Sequence, residues 1–211
     1  MFELQSVRKV PVQPRAKARQ ELILRVAEEL IAEKGSDAMS MNEIAVRAGI
    51  SIGSLYQYYR DKSAVIGALG LLFHAESSAC IEQEFAAVDS AATLRDAFIR
   101  LMAIYFDLLK QSPAMRDVWL AIQSDKSLHG IEMEANTRNG ALLAAAMNRA
   151  SPSLDAEVAR VTAYAVMALG ESAMRLAIGL PGPDAESVVQ SYTRMALGEL
   201  ERLVTQEPRA T

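Results

Sequence analysis

The stretch from Lys34 to Lys62 constrains the fold more than any other, because helix stops and starts alternate there too quickly for one long element. Lys34 is followed by Gly35, the residue that most readily ends a helix. Ser40-Met41-Asn42-Glu43 then reads as a capping box, with Ser40 as N-cap and Glu43 at the third helical position. The spacing predicts a short helix over Met41 to Ala48, with Ile44, Ala45 and Ala48 facing inward. Gly49 breaks it, Ile50 is an apolar plug, and Ser51 caps a further short helix from Ile52 to Tyr59. Asp61 caps a fourth that begins at Lys62. Upstream, Ile23, Ala27, Leu30 and Ile31 share one helical face and predict a longer first helix from about Arg15 to Lys34. Two short helices joined by a tight glycine turn and braced by a longer one form a helix-turn-helix. That unit lays its second helix in the major groove of DNA.

The rest of the chain adds only helices. Helix formers dominate, alternating β-branched runs are absent, and 51% of the 211 residues are hydrophobic, enough for a packed core. Body helices are predicted from Lys62 to about Ala87, Ala92 to Gln111, Pro113 to Gln123, Lys126 to Arg149, Leu154 to Ile178 and Pro183 to Thr205. Ser112-Pro113 and Ser151-Pro152 supply start signals. The expected fold is all-α, with about nine helices. Residues 1–62 form a DNA-binding head with a basic arm, and residues 63–211 form a body for ligand binding and dimerisation.

Several classes of chemistry find no residues to carry them. One cysteine, Cys80, excludes a disulfide framework and a cysteine zinc site. His74 and His129 are isolated and read as surface or satisfied histidines, so no histidine-rich metal centre is expected. A Ser/His/Asp set and a phosphate loop are both missing, which argues against an enzyme and against a bound cofactor. No uncharged apolar stretch reaches the roughly 18 residues of a membrane span; Ser63 to Ala75 is typical. The N-terminus has no apolar signal region, so a cytoplasmic protein without membrane contact is expected.

The net charge is −4, yet it is unevenly placed. The first 62 residues carry +2 and the remainder −6, with a basic N-terminal arm that includes Arg8 and Lys9. Such an arm alone is a solvated tail; ahead of a helix-turn-helix it points toward phosphate. The third helix has few strong helix formers, and only Leu55 and Tyr59 look like core anchors. It presents Ser51, Ile52, Ser54, Tyr56, Gln57 and Tyr58. Hydroxyls donate to phosphate oxygens, glutamine reads an adenine edge, and isoleucine meets a thymine methyl. Tyr56 either faces outward in this way or packs beneath the helix. Ser40 and Ser51 act as caps, as phosphate ligands, or as both. Lys62 at a helix start runs against the helix dipole, which argues for work outside the fold.

From Leu22 to Val65, about a fifth of the chain, the sequence resembles the tetracycline-repressor (TetR) family of transcriptional regulators. The shared pattern is a helix ending in glycine, a hydroxyl cap, Glu43-Ile44-Ala45, Ala48-Gly49-Ile50-Ser51, Gly53-Ser54-Leu55-Tyr56 and an aromatic ahead of Lys62. The resemblance implies that Ser40, Tyr58 and Lys62 contact the DNA backbone. It places Ile52, Ser54, Tyr56 and Gln57 on the recognition helix. Met39, Ser36 and Tyr59 depart from the commoner threonine, aromatic and phenylalanine. Ile52 stands where a basic or polar residue is frequent.

For the body, the helix from Ala92 to Gln111 is apolar on most of its circumference and is the expected centre. A small apolar ligand is expected near Phe98, Met102, Tyr105, Trp119, Met133 and Met167, with Glu171 as a polar contact. Core filling is the alternative for each methionine and for Trp119, and pairing with Arg175 is the alternative for Glu171. Gly67 and Gly70 read as close packing against the first helix, or else as a hinge. Val158, Val161, Ala165, Val166, Leu169, Ala173 and Leu176 leave one late helix mostly apolar. Val188, Val189, Tyr192, Ala196, Leu200 and Leu203 stripe the last. These faces suit a homodimer through the last two helices, unless they are covered within one chain. The chain thus reads as a dimeric regulator on double-stranded DNA, a repressor of a palindromic operator that a small apolar ligand releases. A ligandless architectural or partner-binding protein with the same head is the alternative.

Overall fold

The computed structural model describes residues 14–206, and over that span it contains nine α-helices and no strand. These are α1 Pro14–Lys34, α2 Met41–Arg47, α3 Ile52–Tyr58, α4 Lys62–Phe85, α5 Ala91–Gln111, α6 Pro113–Ser124, α7 His129–Ala150, α8 Ala156–Ile178 and α9 Pro183–Thr205. They group into two compact units. Among the described residues, one comprises residues 14–74 together with Ser112–Glu132; the other comprises Ala75–Gln111 and residues 133–206. The division therefore does not fall at residue 62, and α6 packs with the helix-turn-helix.

In the first unit, α1 buries Ile23, Val26, Ala27, Leu30 and Ile31. Gly35, at a φ of 83°, ends the helix where a side chain would be strained. The turn that follows is held from two sides. The Ser36 N–H donates to Asp117 Oδ1 of α6 at 2.9 Å. The Lys62 ammonium donates to the carbonyls of Ser36 and Asp37 at 3.0 and 2.9 Å. Lys62 thus has structural work after all: its charge satisfies backbone acceptors at the end of α1 rather than sitting idle against the dipole of α4. Gly67 and Gly70 are packing glycines, but their neighbours are not on α1. A Cβ on Gly70 would strike Ile122 of α6, and one on Gly67 would lie 3.0 Å from Leu128. His74 is buried, with no hydrogen-bond partner at Nε2 among the described residues, and burial pushes its imidazole below the ordinary range. It is not the surface or satisfied histidine the sequence suggests.

In the second unit, α9 lies against α5 and α8. Gly140 lets α7 approach the backbone of Tyr164 on α8, and Gly170 makes room for the Tyr192 ring, whose hydroxyl donates to the Val166 carbonyl. Arg149 donates to the carbonyls of Val88 and Phe85 and so ties off the end of α4. Central helix α5 buries Leu94, Ala97, Phe98, Leu101, Met102, Phe106 and Leu109. It is not enclosed all round, however, since Ile99, Ile104 and Leu108 stay about 40% exposed. Helices α4 and α8 are long and apolar enough to cross a membrane, at mean hydropathies of 1.6 and 1.2. The expectation that no segment reaches this length counted only uncharged runs, and α4 continues through Glu76. Half of its most apolar stretch is buried within the protein.

Candidate nucleic-acid interface

Helix α3 is seven residues long and too short to persist alone, so its surroundings hold it. Leu55 is fully buried and Tyr59, just past the helix end, is 2% exposed; these two anchor one side. Burial raises the Tyr59 phenol to about 12, which keeps it neutral and in the core. On the opposite side Ser51, Ile52, Gly53, Tyr56 and Gln57 are exposed, while Ser54 and Tyr58 are half-buried at the flanks. Tyr56 is 48% exposed, so it faces outward rather than packing beneath the helix. The Ser51 hydroxyl accepts from the Ser54 N–H at 3.1 Å and caps α3.

Helix α2 begins with the expected capping box. The Ser40 hydroxyl accepts from Glu43 N–H at 3.3 Å and donates to the Glu43 carboxylate at 2.7 Å; the Ser40 N–H donates back to that carboxylate at 3.1 Å. Lys34 pairs with the same carboxylate. The Lys34 and Ser40 hydrogen bonds hold the Glu43 carboxyl at about 2. Lys34 thereby neutralises an acid that would repel a phosphate beside Ser40. Arg47 bonds Glu33 at 2.8 Å and ties α2 back to α1.

The structure thus brings Ser51, Ile52, Tyr56 and Gln57 onto one exposed face, with Ser40 exposed at the start of α2. Gly53 lies on the same face; the sequence reading quotes it in the shared pattern but gives it no contact. Nothing lies within 4 Å of a Cβ built there, so no internal packing explains a glycine inside this helix. Its signal was the helix-weakening cost of glycine in so short an element. The basic arm, with Arg8 and Lys9, lies outside the described residues.

Two family models match the chain. That for bacterial regulatory proteins of the tetR family matches residues 23–69, and that for the tetracyclin repressor-like C-terminal domain matches residues 92–204, over half the chain. The chain belongs to the tetR family. Among relatives, the regulator YdeS of Bacillus subtilis is 40% identical over 53 residues, 25% of this chain and 27% of that protein. A helix-turn-helix regulator of Staphylococcus aureus is 42% identical over 48 residues, 23% of this chain and 26% of that one. The match to these relatives therefore spans about a quarter of their length. Solved structures extend the likeness to the whole fold. A TetR-family regulator from Streptomyces coelicolor superimposes at a TM-score of 0.67 with 18% identity, covering 88% of this chain and 99% of that one. The fatty acid degradation regulator FadR of Bacillus halodurans gives 0.65 with 16% identity, covering 90% and 97%. In this tetR-family chain the matched N-terminal segment, 23–69, spans the whole of α2 and α3 and so includes the exposed face just described.

Of the expected ligand residues, all but Trp119 fall in the second unit. Trp119 is buried in the unit that holds α1 to α3, whereas Phe98 and Met102 are buried in the other. Tyr105 and Met167 are half-buried, and Met133 is 64% exposed. Glu171 is buried and pairs with Arg175 at 3.1 Å. A groove of about 480 Å³ does lie between α5 and α9, and Met102 is the one expected residue that lines it.

Proposed function

We propose that this tetR-family chain is a homodimeric transcriptional regulator that binds a palindromic operator and is released from it by a small apolar ligand. The exposed polar face of α3, held from behind by Leu55 and Tyr59, carries the reading. In it Gln57 and Ile52 touch base edges in the major groove. Tyr56, Tyr58, Ser40, Ser51 and Ser54 contact the phosphates. Lys62 joins them with the third N–H of an ammonium whose other two hold the carbonyls of Ser36 and Asp37. Residues 1–62 are the DNA-binding segment and residues 63–211 the regulatory one, although α6 packs with the former. The protein acts on cytoplasmic DNA and is not an enzyme.

The dimer surface is the outward face of α8, with Val158, Val161, Leu169 and Leu176 exposed by 42 to 68%, joined by Met195 of α9 at 75%. An exposed apolar stripe of this kind on a terminal helix pair suits a four-helix isologous interface. Two copies so joined present two α3 helices to successive major grooves, about 34 Å apart.

The test is selection of bound duplexes from a random pool by the full-length chain. Inverted repeats with half-sites about one helical turn apart support the reading. Enrichment of no sequence, with binding that depends on salt alone, would falsify it.

A further inference from the structure

We propose that Ile52 reads a thymine 5-methyl group, so that each operator half-site carries a thymine whose methyl, rather than a hydrogen-bonding edge, sets the preference at that base pair. The inference rests on the reading of α3 as the helix that enters the major groove, and it names the chemical group that one of its side chains recognises.

The ridges of α3 differ in chemistry. Residues four apart on a helix stand one above the other. With Leu55 buried on the inner side, Gly53 and Gln57 form an exposed ridge. Ile52 and Tyr56 form the ridge on one side of it, 38% and 48% exposed. Ser54 and Tyr58 form the ridge on the other side and are half-buried. Ile52 is thus the aliphatic side chain that α3 exposes, since Leu55, its other one, is in the core.

An isoleucine side chain neither donates nor accepts a hydrogen bond. Pressed against guanine, adenine or cytosine in the major groove, it covers donors and acceptors and leaves them without partners, at a cost in affinity. Among the four bases thymine alone presents a methyl group there. A 5-methylcytosine carries the same carbon at the same ring position, so the contact follows the methyl and not the base that bears it.

Two neighbours of Ile52 put this contact within reach. Gly53 has open space where a Cβ would stand, so base edges can approach the bare backbone of the exposed ridge closely enough to meet a short side chain beside it. The Ser51 hydroxyl accepts from the Ser54 N–H at 3.1 Å, which holds Ile52 on a capped first turn instead of a fraying one. Ile52 and Gln57 are five residues apart, about 7.5 Å along the axis or about two base-pair steps. The thymine is therefore expected within about two base pairs of the adenine that Gln57 reads.

The test is a methyl scan of the selected inverted repeat, bound by the full-length chain. Each thymine of the half-site is replaced in turn, in both halves, by deoxyuridine, which removes the 5-methyl and nothing else. At one position the loss should be about fourfold per half-site, the worth of one buried methyl group. At that position 5-methylcytosine should exceed cytosine by a similar factor. In Ile52→Ser both ratios should fall toward one. A purely structural role for Ile52 would lower every affinity together and leave the two ratios at their parental values. Ile52→Gln serves if Ile52→Ser loses the parental helicity. A repeat with no methyl-dependent position, or a methyl ratio that survives in the folded variant, overturns the assignment and leaves α3 as the reading helix. Selection of no repeat at all overturns that reading and the assignment with it.

Discussion

Helices α3 and α9 each have an apolar side and a polar side, and they use them in opposite ways. In α3 only Leu55 and the trailing Tyr59 are buried, and the face of Ser51, Ile52, Gly53, Tyr56 and Gln57 is exposed. In α9 the apolar stripe is already taken: Val189, Ala196, Leu197, Leu200 and Leu203 are buried within the chain. Helical periodicity states which residues avoid water. It does not state whether the covering surface belongs to the same chain or to another. On α9 it belongs to the same chain, so the stripe read from the sequence as half of a dimer interface is internal. Of the last two helices, it is α8 that exposes an apolar stripe, with Met195 the exposed large apolar residue of α9.

Glutamate at each place separates these two roles most sharply. Leu200 is fully buried, so Leu200→Glu puts an unpaired charge in the core and should cost more than about 4 kcal/mol. Far-ultraviolet circular dichroism under urea should then show an unfolded or barely folded chain. Leu169 is 61% exposed, so Leu169→Glu should leave helicity intact and yield monomers in sedimentation. A dimeric Leu169→Glu protein would move the interface elsewhere.

A second pair of predictions concerns what holds α3 in place. Asp117→Ala removes the carboxylate that receives the Ser36 N–H, and should lower stability by about 1.5–3 kcal/mol in urea titrations. DNA affinity should fall with it, since the turn leading into α2 loses one of its two supports. Gly53→Ala should act in the reverse sense. With open space around the added methyl, the fold should gain up to about 1 kcal/mol. DNA binding should nevertheless weaken, because the methyl stands between α3 and the groove. A variant that gains stability and keeps full DNA affinity would remove Gly53 from the interface.

The smallest effect is electrostatic. The Glu43 carboxyl titrates near 2 when folded, against an ordinary 4.5. Its contribution is therefore present above pH 4.5 and is lost as the pH falls toward 2. Glu43→Gln should flatten the stability profile in that window and leave it unchanged at pH 7 apart from a uniform offset. A variant with the parental acid slope would place the titration on another group.

The legible and illegible parts of the fold divide by distance along the chain. Ser40, Ser51 and Asp61 cap the helices the sequence assigns to them, because a cap is a contact between neighbours in sequence. Gly35 ends α1 for the same local reason. The link from Ser36 to Asp117 spans 81 residues and leaves no periodic trace, so the sequence divides head from body at residue 62 while α6 in fact joins the head. The structural contacts of Lys62 escape the sequence for a related reason: its partners are carbonyls, which have no letter there. The ligand residues are read from an almost wholly apolar α5 and its methionine-bearing neighbours, and that pattern does not state exposure: Met102 is buried, whereas Met133 is 64% exposed. The groove lies where α5 meets α9, a pairing that neither helix announces.

The central claim is that the outward face of α3 reads DNA sequence. It is tested most directly by measuring the affinity of the parent and of Gln57→Ala for the selected inverted repeat and for a scrambled duplex at one salt concentration. Gln57 is exposed, so the substitution should leave folding unchanged. Affinity for the repeat should fall by about 1–3 kcal/mol per half-site, with scrambled DNA bound as before, so that the specificity ratio collapses. Equal losses on both duplexes, or no loss on either, would contradict the claim.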